Sequence, residues 1–449
     1  MNETVRMNQT RGMNPYDVVI AGAGFTGLTA AYTLAGQGKS VHVIESGQTP
    51  GGLAGTFQFK DGVRLEKFYH HWFNNDRFVP ELAGELGLGT DIILLPTRTG
   101  MYYKGRIWKL SGPLDLLRFT PLSLADRIRL GLLIFRVRRI SDWSRIEGRS
   151  IREWLEPLCG KAVYRIMWEP LIKAKFSVCS EEINAVWMWK KLVLRGGTRN
   201  PKGGEELAYC RGGFGRLTDA LVKEITAAGG RVSCGNPVTG VETDGTRVVA
   251  LRTKEGPVRG NAFLFTPAFP VIADIFQSAA DPGWLEKLRR VRYLGNICLV
   301  LRLSHPLSEI YWLNVNDPGF PFVGVIEHTN FDGPENYGNT HVVYLSQYLS
   351  VDDPVWSSSD DAYFHFALKH LRRMFPDLET GWVLEYRVWR SQYAQHVTEK
   401  NYSRYVCSRD TPYENAWIST MAQIYPEDRG TNYAIREGRA AAEHIGKYL

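Results

Sequence analysis

The triplet Gly22-x-Gly24-x-x-Gly27 is the pattern in this chain with the most specific chemistry. Its first glycine suits a tight turn, its second lets backbone approach a pyrophosphate, and its third lets a helix pack closely on a strand. Glu45, further on, is a carboxylate able to accept hydrogen bonds from ribose hydroxyls. No arginine stands beside it, which argues against a 2′-phosphate and so against NADP. These residue types in this order describe the binding of a dinucleotide by backbone N–H groups and one acid.

The elements that must position them are legible in the same stretch. Val18 to Ala21 is an apolar run that reads as a buried strand, Leu28 to Ala35 reads as a helix, and Ser40 to Ile44 as a second strand closing on Glu45. Phe25 and Thr26 fall at the helix start, where unpaired N–H groups and the positive dipole end meet phosphates. Glycine-rich turns also arise for structural reasons alone. The full order of strand, glycines, helix, strand and acid makes nucleotide binding the stronger reading.

The triplet leaves FAD and NAD undecided, and the segment from Ser46 to Gly55 favours FAD. Gly51-Gly52, followed by Leu53 and Ala54, permits close backbone approach to a cofactor that extends past its pyrophosphate. An ordinary turn is the bland alternative for that glycine pair. With this segment in place, the chain resembles the FAD superfamily of monoamine oxidases, protoporphyrinogen oxidases, phytoene desaturases and UDP-galactopyranose mutases. The resemblance runs through nearly the whole chain and is most specific at 17–55 and 416–446. It implies an α/β fold, with a discontinuous glutathione-reductase-like Rossmann FAD-binding domain and a mixed α+β substrate domain. The divisions expected are a flexible tail over 1–15, an FAD-binding domain over 16–75, 207–283 and 390–449, and a substrate domain with a helical cap over 76–206 and 284–389.

The resemblance also implies roles for particular residues. The block Glu66 to Asp76 is similar to the mutase segment in which a histidine lies against the flavin ring, and His71 falls on that histidine. Adjacent histidines are more often surface or satisfied core residues. Alternation in an extended segment sets His70 on the opposite side from His71. Arg195 lies where the mutases carry a substrate-phosphate arginine, and a plain surface arginine is its alternative. Val238 takes the place of a valine whose backbone meets the adenine. Gly430, Thr431, Asn432 and Tyr433 lead into a last helix, Ile435 to Ile445, whose start is aimed at the flavin pyrimidine in such proteins. A dipole end there stabilises negative charge on the reduced ring. Ser419-Thr420-Met421 departs from the acidic pattern expected before that helix, and Asp428 is the one candidate substitute.

Composition bounds the rest. A hydrophobic share of 44% and a charged share of 22% over 449 residues suit a large folded core. The formal charge of +7 admits a small-molecule substrate that is anionic or lipid-linked. Basic residues are scattered and no reader motif appears, so nucleic acid is not an expected partner. The six cysteines, Cys159, Cys179, Cys210, Cys234, Cys298 and Cys407, have no metal-ligand spacing and read as core thiols in a reducing compartment, with cytoplasmic localisation. No metal is expected. From Pro113 to Leu155 the pattern is helical and apolar, with arginines interleaved as far as 145. A solvated face over a core is the favoured reading, and peripheral contact with an anionic membrane through 113–145 the rival one. The expected activity is that of an FAD-dependent oxidase or desaturase removing hydride from a C–H or C–N bond. The alternative is a non-redox sugar-nucleotide mutase of the galactofuranose type.

Overall fold

In the computed structural model, residues 15–195 and 205–449 are described, the side chain of Arg195 excepted. The tail expected over 1–15 lies outside them but for its last residue. The glycine stretch folds as strand Tyr16–Ala21, helix Phe25–Gly36 and strand Val41–Ile44. Val18 to Ala21 of the first strand and all of the second are buried, and apolar but for His42, as strands covered on both faces must be. Their sheet is parallel in the order Arg231–Ser233, Val41–Ile44, Tyr16–Ala21, Gly256–Phe265, Ala416–Ile418. Three distant parts of the chain thus build one sheet. The first half of Gly256–Phe265 also pairs antiparallel with Val248–Thr253, which pairs with Val238–Thr243.

Helix Phe25–Gly36 packs against Gly215–Ala227 and the final helix, Thr431–Tyr448. The approach to the final helix is close: a Cβ on Gly438 would stand 2.5 Å from the carbonyl oxygen of Thr26. Both helix starts are thereby held beside the glycine loop. The final helix begins at Thr431, earlier than the Ile435 expected from its periodicity.

A second, seven-stranded sheet runs Val383–His396, Tyr293–Leu303, His341–Leu349, Gly324–Glu327, Trp312–Val315, Thr99–Tyr103, Arg106–Lys109. Helix Asp360–Met374 closes one side of it over an apolar core. Three short strands, Trp72–Phe73, Glu206–Cys210 and Ile92–Pro96, form a small separate sheet. The expected boundary at 390 is corrected here. It falls inside strand Val383–His396, which pairs with Tyr293–Leu303 from end to end and so belongs to the second sheet. The boundary at 206/207 likewise cuts strand Glu206–Cys210.

The helical region over 113–155 is four helices rather than one run: Pro113–Arg118, Leu124–Arg138, Ser144–Glu147 and Ile151–Cys159. Ser123 and Ser150 start two of them by accepting from backbone N–H groups. With Glu169–Phe176 and Ala185–Arg195 they enclose a third core around Trp154, Trp187 and Trp189.

Candidate functional site

The glycine loop opens onto a cavity of about 660 Å³, well within the size range of cofactor pockets. Gly22 has a φ of +102°, and a side chain there would collide with Thr266 Oγ1. Gly27 abuts backbone, since its Cβ would overlap the carbonyl oxygen of Gly22. Gly24 is different. An added Cβ there meets nothing within 4 Å, so this backbone faces open cavity. Tight packing behind and empty space in front are what a pyrophosphate cradle at a helix N-terminus requires.

Glu45 holds the loop as well as facing the cavity. Its Oε2 accepts from Ala23 N at 2.8 Å and its Oε1 from Gly47 N at 2.7 Å. A carboxylate has capacity for further donors, so a ribose can still be bound. Phe25, Thr26, Ser46, Gly51, Gly52, Leu53 and Ala54 line the same cavity. Val238, Gly430 and Thr431 border it too. Gly27 does not line it; its part is the close packing of helix on strand.

A second cavity of about 340 Å³ adjoins the first. Leu53, Phe68, His70 and the run Arg429 to Thr431 line both, so the two meet there. The outer cavity is walled by Tyr69, Trp168, Trp187 and Trp312. Asn432 and Tyr433, expected against the cofactor, line only this outer cavity. Asn432 Oδ1 accepts from Phe78 N and Val79 N and so caps helix Phe78–Glu85. Asp428 likewise borders only the outer cavity, in an ion pair with Lys191 at 2.6 Å. Burial alone would raise its carboxyl, but Lys191, Lys175 and Arg429 outweigh that and hold it low.

Both histidines line the outer cavity, and of the two only His70 also borders the inner one, where the sequence reading puts His71. In the outer cavity His71 Nδ1 shares a 2.9 Å hydrogen bond with the Tyr311 hydroxyl. His70 Nδ1 donates to the Phe68 carbonyl at 2.6 Å, which leaves Nε2 as an acceptor. Burial pulls His70 down to about 4, so it is neutral at physiological pH and brings no charge to the junction. Arg195 ends helix Ala185–Arg195, and its side chain lies outside the described residues.

Sequence reasoning passed over the polar cluster of the outer cavity. The Tyr348 hydroxyl accepts from Lys175 Nζ and from Arg429 Nη2, each at 3.0 Å, and Tyr69 also hydrogen-bonds it. Burial would push the Tyr348 phenol up; the two cations reverse this and draw it down to about 8. Lys67 lies 4.9 Å from the Trp389 ring centroid, and both border the inner cavity.

A dinucleotide cavity joined to an aromatic-walled cavity defines an enzyme that brings an organic molecule against its cofactor. The chain matches the family model of flavin-containing amine oxidoreductases over residues 25–445, and it belongs to that family. It is an oxidoreductase, and its cofactor is FAD. The residues of the inner cavity fit FAD, with Gly24 open to the phosphates and Glu45 to a ribose.

Among curated relatives, a 15-cis-phytoene desaturase of an Oncidium hybrid cultivar is 24% identical over 423 residues, covering 87% of this chain and 71% of that protein. The Arabidopsis thaliana 15-cis-phytoene desaturase is 27% identical over 62% of this chain, a match that spans only about half of the relative, 51%. Among solved structures, a protein described as a putative protoporphyrinogen oxidase from Exiguobacterium superposes with a TM-score of 0.75 at 16% identity, covering 98% of this chain and all of that one, 100%. A reduced UDP-galactopyranose mutase superposes with a TM-score of 0.72 at 15% identity, covering 97% and 95%. These structural likenesses concern the fold.

Proposed function

We propose that the chain is an FAD-dependent oxidase or desaturase that takes hydride from a C–H or C–N bond of a small molecule, on a discontinuous glutathione-reductase-like Rossmann scaffold. The single observation that carries this reading is the junction of the two cavities at Leu53, Phe68, His70 and Arg429 to Thr431. Bound FAD supplies the two-electron acceptor. The protein's part is to orient and to exclude water. Tyr69, Trp168, Trp187 and Trp312 exclude it and hold the apolar body of the substrate. His70, neutral and fixed in one tautomer, offers an acceptor at the junction. The start of helix Thr431–Tyr448 turns its N–H groups toward the same place and favours negative charge there.

The test is anaerobic mixing of oxidised holoenzyme with candidate amines, alcohols and unsaturated lipids while the visible flavin absorption is followed. Bleaching by one of these classes is the expected outcome. Turnover confined to photoreduced protein, with UDP-galactopyranose and no net redox change, would replace this reading by the mutase one.

We further propose a cytoplasmic protein that rests on an anionic membrane surface through helix Leu124–Arg138. Leu133 and Val137 of that helix are buried in the core, whereas Leu124, Ile128, Leu132 and Phe135 are 61%, 54%, 46% and 64% exposed. At 3.6 residues per turn those four lie within an arc of about 80°. Arg127 and Arg138 flank that arc on one side, Arg129 and Arg136 on the other. Leu114 and Leu117 of the preceding helix extend the apolar exposure. An apolar stripe between basic flanks suits a helix lying in the plane of a lipid headgroup layer. Among the described residues no helix is long and apolar enough to cross a membrane. The protein should sediment with vesicles containing phosphatidylserine, and Ile128→Glu with Phe135→Glu should abolish this without lowering the melting temperature. Equal sedimentation of variant and wild type would remove the membrane from the account.

A further inference from the structure

The outer cavity has a charge pattern that the proposed hydride transfer does not by itself require. Three cations, Lys175, Lys191 and Arg429, line it, against two carboxylates, Asp76 and Asp428. Lys191 pairs directly with Asp428, whose charge is also felt by Lys175 and Arg429 without a direct contact. Asp76 accepts from Phe73 N, and burial raises its carboxyl to about 6, so its charge is weakly held. Among the described residues, Lys175 and Arg429 make no salt bridge of their own. The side-chain acceptors they meet are the Tyr348 hydroxyl and, for Arg429, Gln395 Oε1 at 3.0 Å.

These two cations are not surface groups. Lys175 Nζ stands 4.1 Å from the Tyr348 ring centroid, and burial makes its charged form harder to keep. Tyr348 is 7% exposed. A half-buried cation pair whose nearest acceptors are neutral is stabilised by an anion brought from outside. The same pair repels an ammonium group. Arg429 borders both cavities, so an anion held there stands next to the cofactor edge. The aromatic walls, meanwhile, are suited to an apolar body.

We propose that the outer cavity takes an organic anion, a molecule whose carboxylate or phosphate is held by Lys175 and Arg429 with the Tyr348 hydroxyl, and whose apolar part lies against the tryptophans. This rests on the oxidoreductase reading and narrows its substrate class, separating it from oxidation of a free cationic amine. The proposal concerns binding, and no bond is made or broken in it.

The experiment compares three probes that share one ring and differ in the head group: benzoate, phenyl phosphate and benzylamine. Each is titrated into purified holoenzyme by calorimetry, with the visible flavin spectrum recorded in parallel. The expected result is that at least one anion binds tenfold or more tightly than benzylamine and perturbs the flavin band. Benzoate and phenyl phosphate distinguish a carboxylate from a phosphate substrate. Lys175→Met should remove the preference, and Lys175→Arg should keep it at unchanged melting temperature. Benzylamine binding as tightly as both anions, or anion affinity unaltered in Lys175→Met, would overturn the proposal. If calorimetry shows the anion preference but no candidate substrate bleaches the flavin, the hydride-transfer reading fails and the anion site stands. If a substrate bleaches the flavin without any anion preference, the reverse holds.

Discussion

Gly24 and Gly27 sit three residues apart in one loop, and the structure gives them opposite sensitivities. Gly24 has ordinary extended backbone, φ −74° and ψ 176°, and an added Cβ meets nothing within 4 Å. Gly24→Ala should therefore cost only about 1 kcal/mol or less, the loss of a good N-cap residue. It should nonetheless cut FAD affinity at least tenfold, because the methyl occupies space reserved for pyrophosphate. At Gly27 a methyl would overlap the Gly22 carbonyl and stand 3.3 Å from Ile20 Cγ2. Overpacking against backbone costs about 1–3 kcal/mol, partly offset by the roughly 1 kcal/mol that alanine gains over glycine in a helix. Gly27→Ala should thus lower the melting temperature of the apoprotein by a few degrees, with any loss of FAD following from the loosened loop. The assay pairs thermal melts of apoprotein with equilibrium FAD binding. Wild-type FAD affinity in Gly24→Ala, or an unchanged melt in Gly27→Ala, would refute this division of labour.

Other outcomes follow from the same geometry. Glu45→Ala should weaken FAD binding by about 1.5–3 kcal/mol, the range for a hydrogen bond to a charged group; an unchanged dissociation constant would show that Glu45 serves only Ala23 and Gly47. His70→Ala should alter the flavin spectrum or midpoint potential more than His71→Ala, because only His70 borders the inner cavity, and the reverse order would return the junction to His71. Tyr348 should show a phenolate absorption change near pH 8 that is absent in Tyr348→Phe. Because its folded-state value lies below the unfolded value of about 10, the folded protein holds fewer protons between about pH 8 and 10, and this group's contribution to stability rises with pH across that window. Lys175→Met should move the transition upward; an unmoved transition would mean that Lys175 does not govern Tyr348.

How much of this was legible in sequence depended on whether the chemistry is local. The glycine loop, Glu45 and Gly51-Gly52 stand out because each must satisfy a cofactor through contiguous backbone, and contiguous backbone leaves a pattern. The outer cluster leaves none. Lys175 comes from a cap helix, Tyr348 from a strand 173 residues later and Arg429 from a loop 81 residues beyond that. Each is unremarkable alone. Alternation alone does not say which of His70 and His71 reaches the inner cavity; the segment's path is set by Trp72–Phe73 pairing with Glu206–Cys210, far along the chain. The helix Leu124–Arg138 carries apolar residues on two faces, and only the fold decides that Leu133 and Val137 go inward while Ile128 and Phe135 stay outside. Boundaries are illegible for a related reason, since Val383–His396 is one unbroken strand with no turn residue marking 390.

The most direct test of the account is a crystal structure of the holoenzyme with its FAD. The pyrophosphate should lie against Gly24 and the start of helix Phe25–Gly36. The isoalloxazine should reach the junction, within contact distance, about 4 Å, of Leu53, His70 and the Gly430–Thr431 backbone, with one face open to the aromatic cavity. An isoalloxazine away from that junction, or a pyrophosphate that does not touch the Gly24 loop, would contradict it.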